Sequence, residues 1–251
     1  MSIEKELLNY KENTSISRES LVELIRRDKP DYKDSSVRWV LYRLVHDGVI
    51  TKVDSEFFRI GRVKPYASKP GCKTKNQIVK ILKSELPAIK VVVYESTILN
   101  EWVNHLISRN VLFVEVEKDY MHSVFRELQE KIQTTILLKP SIDDYYLYAS
   151  DATIIVSNLI SQAPLHKDSY DIRIEKLLVD IYANELLKEF ISDDEIENIV
   201  NDIFSTYVVN SKTVLAYAKR RKLEAKMRIV LESFFSGKEV QSLFLWDSLI
   251  S

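Results

Sequence analysis

The sequence predicts a protein of mixed α+β and α/β class, because three regions of the chain have different patterns. Short helical segments followed by a two-stranded hairpin occupy residues 1–61. Short apolar, β-branched runs then alternate with amphipathic segments, as in a small α/β sheet layer. From about Ser169 the apolar residues have helical spacing, which predicts a C-terminal helical bundle.

Composition excludes several classes of function. With only four glycines, the chain contains neither a G-x-G-x-x-G dinucleotide motif nor a P-loop. The single cysteine, Cys72, excludes an internal disulfide framework and a Cys-rich zinc site. The four histidines form no closely spaced pair, so we expect neither a metal nor a cofactor. The absence of a signal-peptide pattern and of a long apolar run predicts a cytoplasmic protein without a membrane span.

Charge is distributed unevenly along the chain. Residues 1–75 contain 16 Lys and Arg against 11 Asp and Glu, a net charge of +5, whereas the remaining residues have a net charge of −6. Residues 62–75 are basic and contain two prolines and a glycine, which predicts a linker between domains at 1–61 and 76–251. A basic head on an acidic body favours a nucleic-acid-binding module joined to a second domain.

The first 61 residues have the element order of a winged helix-turn-helix domain. We expect helices near residues 3–8, 18–27 and 36–46, and a hairpin of strands at 49–53 and 57–60. Thr14–Ser17 supplies capping residues, and Ser35 or Ser36 caps the third helix. Asp47-Gly48 ends that helix, since glycine suits the left-handed residue after a helix. The third helix of this fold normally enters the DNA major groove.

The helix at 36–46 has two distinct faces, as an inserted helix requires. One face is apolar: Val37, Val40, Leu41, Leu44 and Val45. The opposite face is cationic and aromatic, which suits contacts to base edges and phosphates. The predicted DNA-contacting residues, from this helix and the hairpin, are Ser35, Arg38, Trp39, Tyr42, Arg43, His46, Lys52 and Arg59. The same surface also fits an adaptor that binds protein, an alternative that the basic head disfavours.

Carboxylates at two predicted strand ends leave a nuclease as a further alternative. Glu95 ends one strand, Glu115 and Glu117 end the next, and Lys118 follows. Such acids are typical of a restriction-endonuclease-like Mg²⁺ site, in which a lysine stands two residues after an acid. Here Glu117 takes the place of that lysine, so we expect surface carboxylates and no enzyme. The basic run at 219–228 is either a second nucleic-acid surface or a solvated helix face.

Two segments resemble the AbiEi-type antitoxins, the regulators of type IV toxin–antitoxin pairs. They are SSVRWVLYRLVHDGVITKV at 35–53 and RIEKLLVDIYANELLKEF at 173–190, which is similar to a Glu-Lys-x-Leu-Val-Asp segment of that family. The resemblance implies a repressor that binds its own operator on double-stranded DNA. It also implies an antitoxin that counters a nucleotidyltransferase toxin without necessarily forming a stable complex.

The second of these segments indicates which residues serve the antitoxin function. They are Glu175, Lys176 and Asp180. Asp180 lies near the edge of an apolar stripe, where a carboxylate needs a hydrogen-bonding or cationic partner. It therefore pairs with a neighbouring lysine, caps a loop or acts directly in the antitoxin function. The sequence predicts no particular oligomeric state.

Overall fold

The protein has a mixed α/β fold with small sheets and several helices. Its structure, a computed structural model, describes residues 3–7, 9–10, 14–53, 55–61 and 63–233. Some residues of the sequence-based interpretation lie outside these ranges: Leu8, Asp54, Arg62 and residues 234–251. Among the described residues, no helix combines the length and the apolar character that a membrane span requires.

The described residues divide into two compact units. The first unit comprises 1–66, 202–215 and 225–233, and the second comprises 67–201 and 216–224. The chain first crosses from one unit to the other between residues 66 and 67, inside the predicted linker at 62–75. The division otherwise differs from domains at 1–61 and 76–251, because parts of the C-terminal helices belong with the first unit.

The first unit begins with helices and an antiparallel sheet. In chain order these are α1 (Ile3–Leu7), β1 (Ser15–Ser17), α2 (Arg18–Asp28), α3 (Asp34–His46), β2 (Ile50–Lys52) and β3 (Phe57–Ile60). β3 lies between β1 and β2 and pairs with both. The predicted helices and hairpin are confirmed. β1 was not predicted, because three residues are too few to show the alternating pattern of a strand.

The two faces of α3 explain how this unit packs. Val37, Val40, Leu41 and Leu44 are buried as predicted, in one core with apolar residues of the neighbouring helices and strands. Burial of each such side chain stabilises the fold by about 1.5–3 kcal/mol. Gly48 follows the helix with a φ of 72°, in the left-handed region that favours glycine.

The start of α3 differs from the prediction. Lys33 occupies the N-cap position, and the helix begins at Asp34. The predicted cap at Ser35 or Ser36 is therefore wrong, and Ser35 lies inside the first turn. An acid in the first turn complements the helix dipole, which favours the earlier start.

The second unit contains a four-stranded sheet and its connecting helices. The elements are α4 (Lys73–Glu85), β4 (Val91–Glu95), β5 (Asn110–Val116), α5 (Met121–Lys131), β6 (Thr135–Leu138), α6 (Ile142–Tyr148), β7 (Ala152–Asn158), α7 (Ile174–Ala183) and α8 (Glu185–Lys188). The strand order is β4-β5-β7-β6, and β7 runs parallel to both of its neighbours. α4 begins with Cys72 as its N-cap, so the helix takes up the end of the predicted linker.

The connection from β4 to β5 corrects one prediction. An amphipathic helix is expected there from Ile98, Leu99, Trp102, Val103 and Leu106, with a parallel crossover. Instead Ser96–Glu101 forms a short 3-10 helix, and β4 pairs antiparallel with β5. Antiparallel neighbours need only a short connection, whereas parallel ones need a crossover of a dozen or more residues. The crossovers through α5 and α6 lead to parallel strands, although α6 itself was not expected.

The C-terminal part is helical, as predicted. Its helices are α9 (Asp193–Thr206), α10 (Ser211–Arg220) and α11 (Glu224–Glu232). All three passages between the units in this part of the chain fall inside helices, one each within α9, α10 and the first turn of α11. The basic run at 219–228 therefore spans the end of one helix and most of the next.

Candidate nucleic-acid interface and a buried ionic cluster

The outer face of α3 is an exposed surface of aromatic and cationic side chains. Trp39 is 58% exposed and Tyr42 is 68% exposed. The guanidinium of Arg43 lies 5.2 Å from the centroid of the Trp39 ring. The His46 ring stacks on Tyr42 with a centroid distance of 6.1 Å. We call these residues, with Arg38, the outer face of α3.

Cationic side chains extend this surface at the start of α3. Arg38 is exposed, and its Nε donates to the carbonyl oxygen of Asp34 over 3.3 Å. Arg26, at the end of α2, pairs with the Asp34 carboxylate at 2.6 Å. Arg26 was not among the predicted residues, although Arg26-Arg27 stands in the basic last turn of α2. Ser35 in the first turn of α3 and Lys52 on β2 are both exposed, as their predicted contacts require.

Arg59 does not lie on this surface. It stands in β3, the middle strand of its sheet, and is only 4% exposed. Its guanidinium lies 6.0 Å from the ring centroid of Phe204, which belongs to α9 and to the same unit. The predicted phosphate contact of Arg59 is therefore wrong. A two-stranded hairpin would leave β3 at the edge of its sheet. Instead β1 pairs with β3, and Phe204 lies near the guanidinium of Arg59.

A buried ionic cluster lies in the second unit, between α7 and the sheet. The Nζ of fully buried Lys176 is 2.7 Å from Oε2 of Glu115 and also donates to Oδ2 of Asp180. The hydroxyl of Tyr94 donates to Oε1 of Glu115 over 2.9 Å, and that of Tyr217 donates to Oδ1 of Asp180 over 3.0 Å. Each carboxylate oxygen of the cluster thus accepts at least one hydrogen bond.

Burial and charge act in opposite directions on the lysine of this cluster. Burial lowers the pKa of Lys176, but the carboxylates of Asp180 and Glu115 outweigh it and raise that pKa above its usual value. Burial raises the pKa of Tyr94 and of Tyr217, and the nearby carboxylates raise both further. At neutral pH the lysine is therefore charged, and both tyrosines remain hydrogen-bond donors.

The three residues that the resemblance assigns to antitoxin function lie on α7 in different surroundings. Glu175 is buried and pairs with Arg173, with 3.0 Å between Oε2 and Nε. Lys176 and Asp180 belong to the ionic cluster, so Asp180 pairs with a neighbouring lysine. The sequence shows only the i, i+4 spacing of Lys176 and Asp180. Glu115 lies far away in the sequence, and no local pattern reveals it as their partner.

The acids of the nuclease alternative do not come together. Because β4 and β5 are antiparallel, Glu95 stands opposite Leu112, at the other end of the sheet from Glu115. Glu117 pairs with Lys90 at 3.6 Å. In the part of the chain that the structure describes, no three His, Cys, Asp or Glu residues form a group that could hold a metal ion. The acids of the predicted nuclease site therefore do not form the cluster of carboxylates that a Mg²⁺ site requires.

Fold and site together define a two-unit mixed α/β protein with an exposed cationic and aromatic helix face. Residues 36–236 match the family of unknown function DUF6577. Because this match covers well over half of the chain, the protein belongs to that family. No curated protein matches the chain significantly.

Proposed function

We propose that the first unit is a winged helix domain that binds double-stranded DNA, and that the protein is a transcription regulator. The observation that supports this most strongly is the outer face of α3. Monomeric proteins rarely leave large aromatic side chains exposed together, and such patches mark interaction sites. Here the aromatic rings alternate with Arg38, Arg43 and His46, which suits an anionic partner.

In this proposal α3 enters the major groove. Arg38 is exposed whereas Arg43 is half-buried, so we assign the bidentate contact to guanine to Arg38, while Trp39 and Tyr42 offer apolar contact to thymine methyl groups. Ser35, through its hydroxyl and its backbone N–H in the first turn of α3, contacts a phosphate. Lys52 on β2 holds another phosphate beside the groove and carries no sequence information.

The resemblance to AbiEi-type antitoxins extends the proposal to an operon. On this view the protein represses its own operator in the cytoplasm and counters a nucleotidyltransferase toxin, without a requirement for a stable complex. It acts as a binding protein rather than an enzyme. Support for the antitoxin activity comes from the segment at 173–190, most of which forms α7 and α8.

Selection from a randomised pool of double-stranded DNA tests the proposal with the full chain. We expect enrichment of one sequence motif, and we expect Arg38→Ala and Trp39→Ala to lose it while melting at the wild-type temperature. Lys80→Ala, which removes an exposed lysine of the second unit, is the matched control and keeps the motif. If the wild-type protein enriches no motif over the starting pool, sequence-specific DNA binding is ruled out.

A further inference from the structure

The second unit contains a cavity of about 310 Å³ beside the ionic cluster. Ser157 and Asn158, which end β7, line it, as does Lys139, which directly follows β6. Glu115, near the end of β5, lines it too. The cavity therefore lies at the carboxyl ends of the three parallel strands, where open α/β sheets bind their ligands. Its volume is at the lower end of the range for small-molecule sites.

One wall of the cavity offers hydrogen-bond donors. Glu115 and Asp180 line it, but their carboxylate oxygens already accept hydrogen bonds inside the ionic cluster. Arg221 also lines it, and its Nε lies 3.6 Å from Oδ1 of Asp180. Within the described part of the chain, neither the terminal nitrogens of Arg221 nor the ammonium of Lys139 has a hydrogen-bond or ion-pair partner. These two cations are available to an anion.

The backbone of Lys139 supports a role at the mouth of this cavity. Its φ is 45°, in the left-handed region that a non-glycine residue rarely adopts. Its N–H donates to the carbonyl oxygen of Val156 over 2.9 Å, which fixes the turn after β6. Strained residues of this kind cluster at ligand sites, where surrounding structure holds them in place.

The rest of the lining limits the kind of anion. Pro140, Ile142 and Leu186 are partly exposed and make part of the lining apolar, so an inorganic ion leaves that part unfilled. Glu185 is an exposed acid at the lining, and it disfavours a second negative charge. We propose that the cavity binds a small organic monoanion, a carboxylate with an apolar body. The carboxylate contacts Arg221 and Lys139, and the body lies against Ile142 and Leu186.

An NMR titration of the full chain with benzoate tests this proposal. Benzoate should perturb the amide signals of Ile155, Ser157 and Asn158, with a Kd on the order of 1 mM, as is typical of a ligand with few atoms. Benzyl alcohol, which has the same ring without the charge, should bind about tenfold more weakly than benzoate. Inorganic phosphate, which has no apolar body, should also bind about tenfold more weakly. If benzoate leaves these signals unchanged, or if benzyl alcohol binds equally well, the proposal is overturned.

Two variants test the cationic contacts. Lys139→Gln removes an exposed charge without disturbing a contact, and it should weaken benzoate binding several-fold. Arg221→Gln should weaken it by about tenfold. Lys80→Gln, an exposed lysine on α4, is the matched control and should leave the affinity unchanged. Wild-type affinity in Lys139→Gln, or equal losses in Lys139→Gln and Lys80→Gln, would refute the assigned contacts, even if Arg221→Gln fails to fold.

Discussion

Lys176 is the residue whose burial most constrains the second unit. Its side chain is fully buried, and an uncompensated buried charge costs several kcal/mol. Glu115 and Asp180 compensate that charge, and the hydroxyls of Tyr94 and Tyr217 satisfy the remaining carboxylate oxygens. The cluster joins α7 to β4, β5 and α10, so its polar contacts fix how these elements meet within the unit.

Replacing Lys176 with methionine keeps much of the side-chain volume but leaves Glu115 buried without a cation and Asp180 with only Arg221, 3.6 Å away. We expect Lys176→Met to lower the free energy of unfolding by about 3–5 kcal/mol, as removal of one partner from a buried ion pair does. Denaturant unfolding at neutral pH measures this, with Lys80→Met as the exposed control. The triple variant Lys176→Met, Glu115→Gln, Asp180→Asn should regain part of the loss. Wild-type stability in Lys176→Met would contradict the charged cluster.

Glu195 makes the stability of the second unit depend on pH. Hydrogen bonds from the backbone and hydroxyl of Ser192, with a further one from the backbone of Asn104, lower the pKa of Glu195 from 4.5 to about 2. A carboxyl group with a lowered pKa stabilises the fold above its unfolded pKa, and that contribution is lost as the pH falls through the folded value.

This pH dependence can be measured with Glu195→Gln, which keeps the shape of the side chain and removes its charge. The variant should be less stable than the wild type at pH 7. The difference should shrink between about pH 4.5 and pH 2, because the wild-type carboxyl group becomes protonated there. Thermal unfolding across this range checks the expectation. A difference of constant size down to pH 2 would show that ionisation of Glu195 is not the cause.

At the scale of elements, α3 combines a buried face with a free one. Its core side chains hold it against α2 and the sheet, while its outer face leaves two aromatic rings largely exposed. A substitution should therefore affect either stability or binding, according to its face. This separation follows from the 3.6-residue period of the helix.

Leu41→Ala and Trp39→Ala test the two faces of α3 separately. Leu41→Ala should lower the free energy of unfolding by about 2–5 kcal/mol, because it leaves a cavity in the core. Trp39→Ala should change that free energy by no more than about 0.5 kcal/mol and should weaken binding to the selected DNA. Denaturant unfolding and a binding titration measure both effects. A large stability loss in Trp39→Ala would contradict its placement on the outer face.

Substitutions of Lys52 and Arg59, which lie in the same small sheet, should have different effects: the first on DNA binding and the second on stability. Lys52→Ala should reduce the salt dependence of DNA binding by about one unit of slope, because it removes a phosphate contact. Arg59→Ala should lower the melting temperature, since this buried side chain packs near Phe204. Titrations at several salt concentrations, paired with thermal unfolding, separate the two. A reduced slope in stable Arg59→Ala would contradict the burial of Arg59.

Helices with a clear apolar period were predictable from the sequence, whereas the pairing of strands and of distant side chains was not. The apolar spacing of α2 and α3 gave their positions to within a few residues. β1 is too short to show a period, and a sheet without β1 would leave Arg59 on an edge strand. The direction of β4 depends on its partner β5, which no local pattern reveals. For the same reason the expectation that Glu115 is a surface carboxylate was wrong: it is buried in the ionic cluster, and neither this pairing nor the cavity beside it shows in the sequence.

At the scale of the whole molecule, the chain returns to the first unit after completing most of the second. Residues 202–215 and 225–233 belong with the N-terminal residues. Within that unit Lys64 bridges to Tyr207, and Lys212 lies 3.6 Å from Glu56. Parts of the C-terminal helices thus belong to the same unit as the basic head, so the proposed DNA binding should be measured with the full chain.

The salt dependence of DNA binding by the full-length protein tests the central claim most directly. The DNA is the segment upstream of its own reading frame, and affinity is measured at several salt concentrations. With about 4–6 phosphate contacts, the slope of log K against log salt should be near −4 to −5. Binding that is absent at low salt, or that does not weaken as salt rises, would contradict the assignment of the outer face of α3 as a DNA-binding surface.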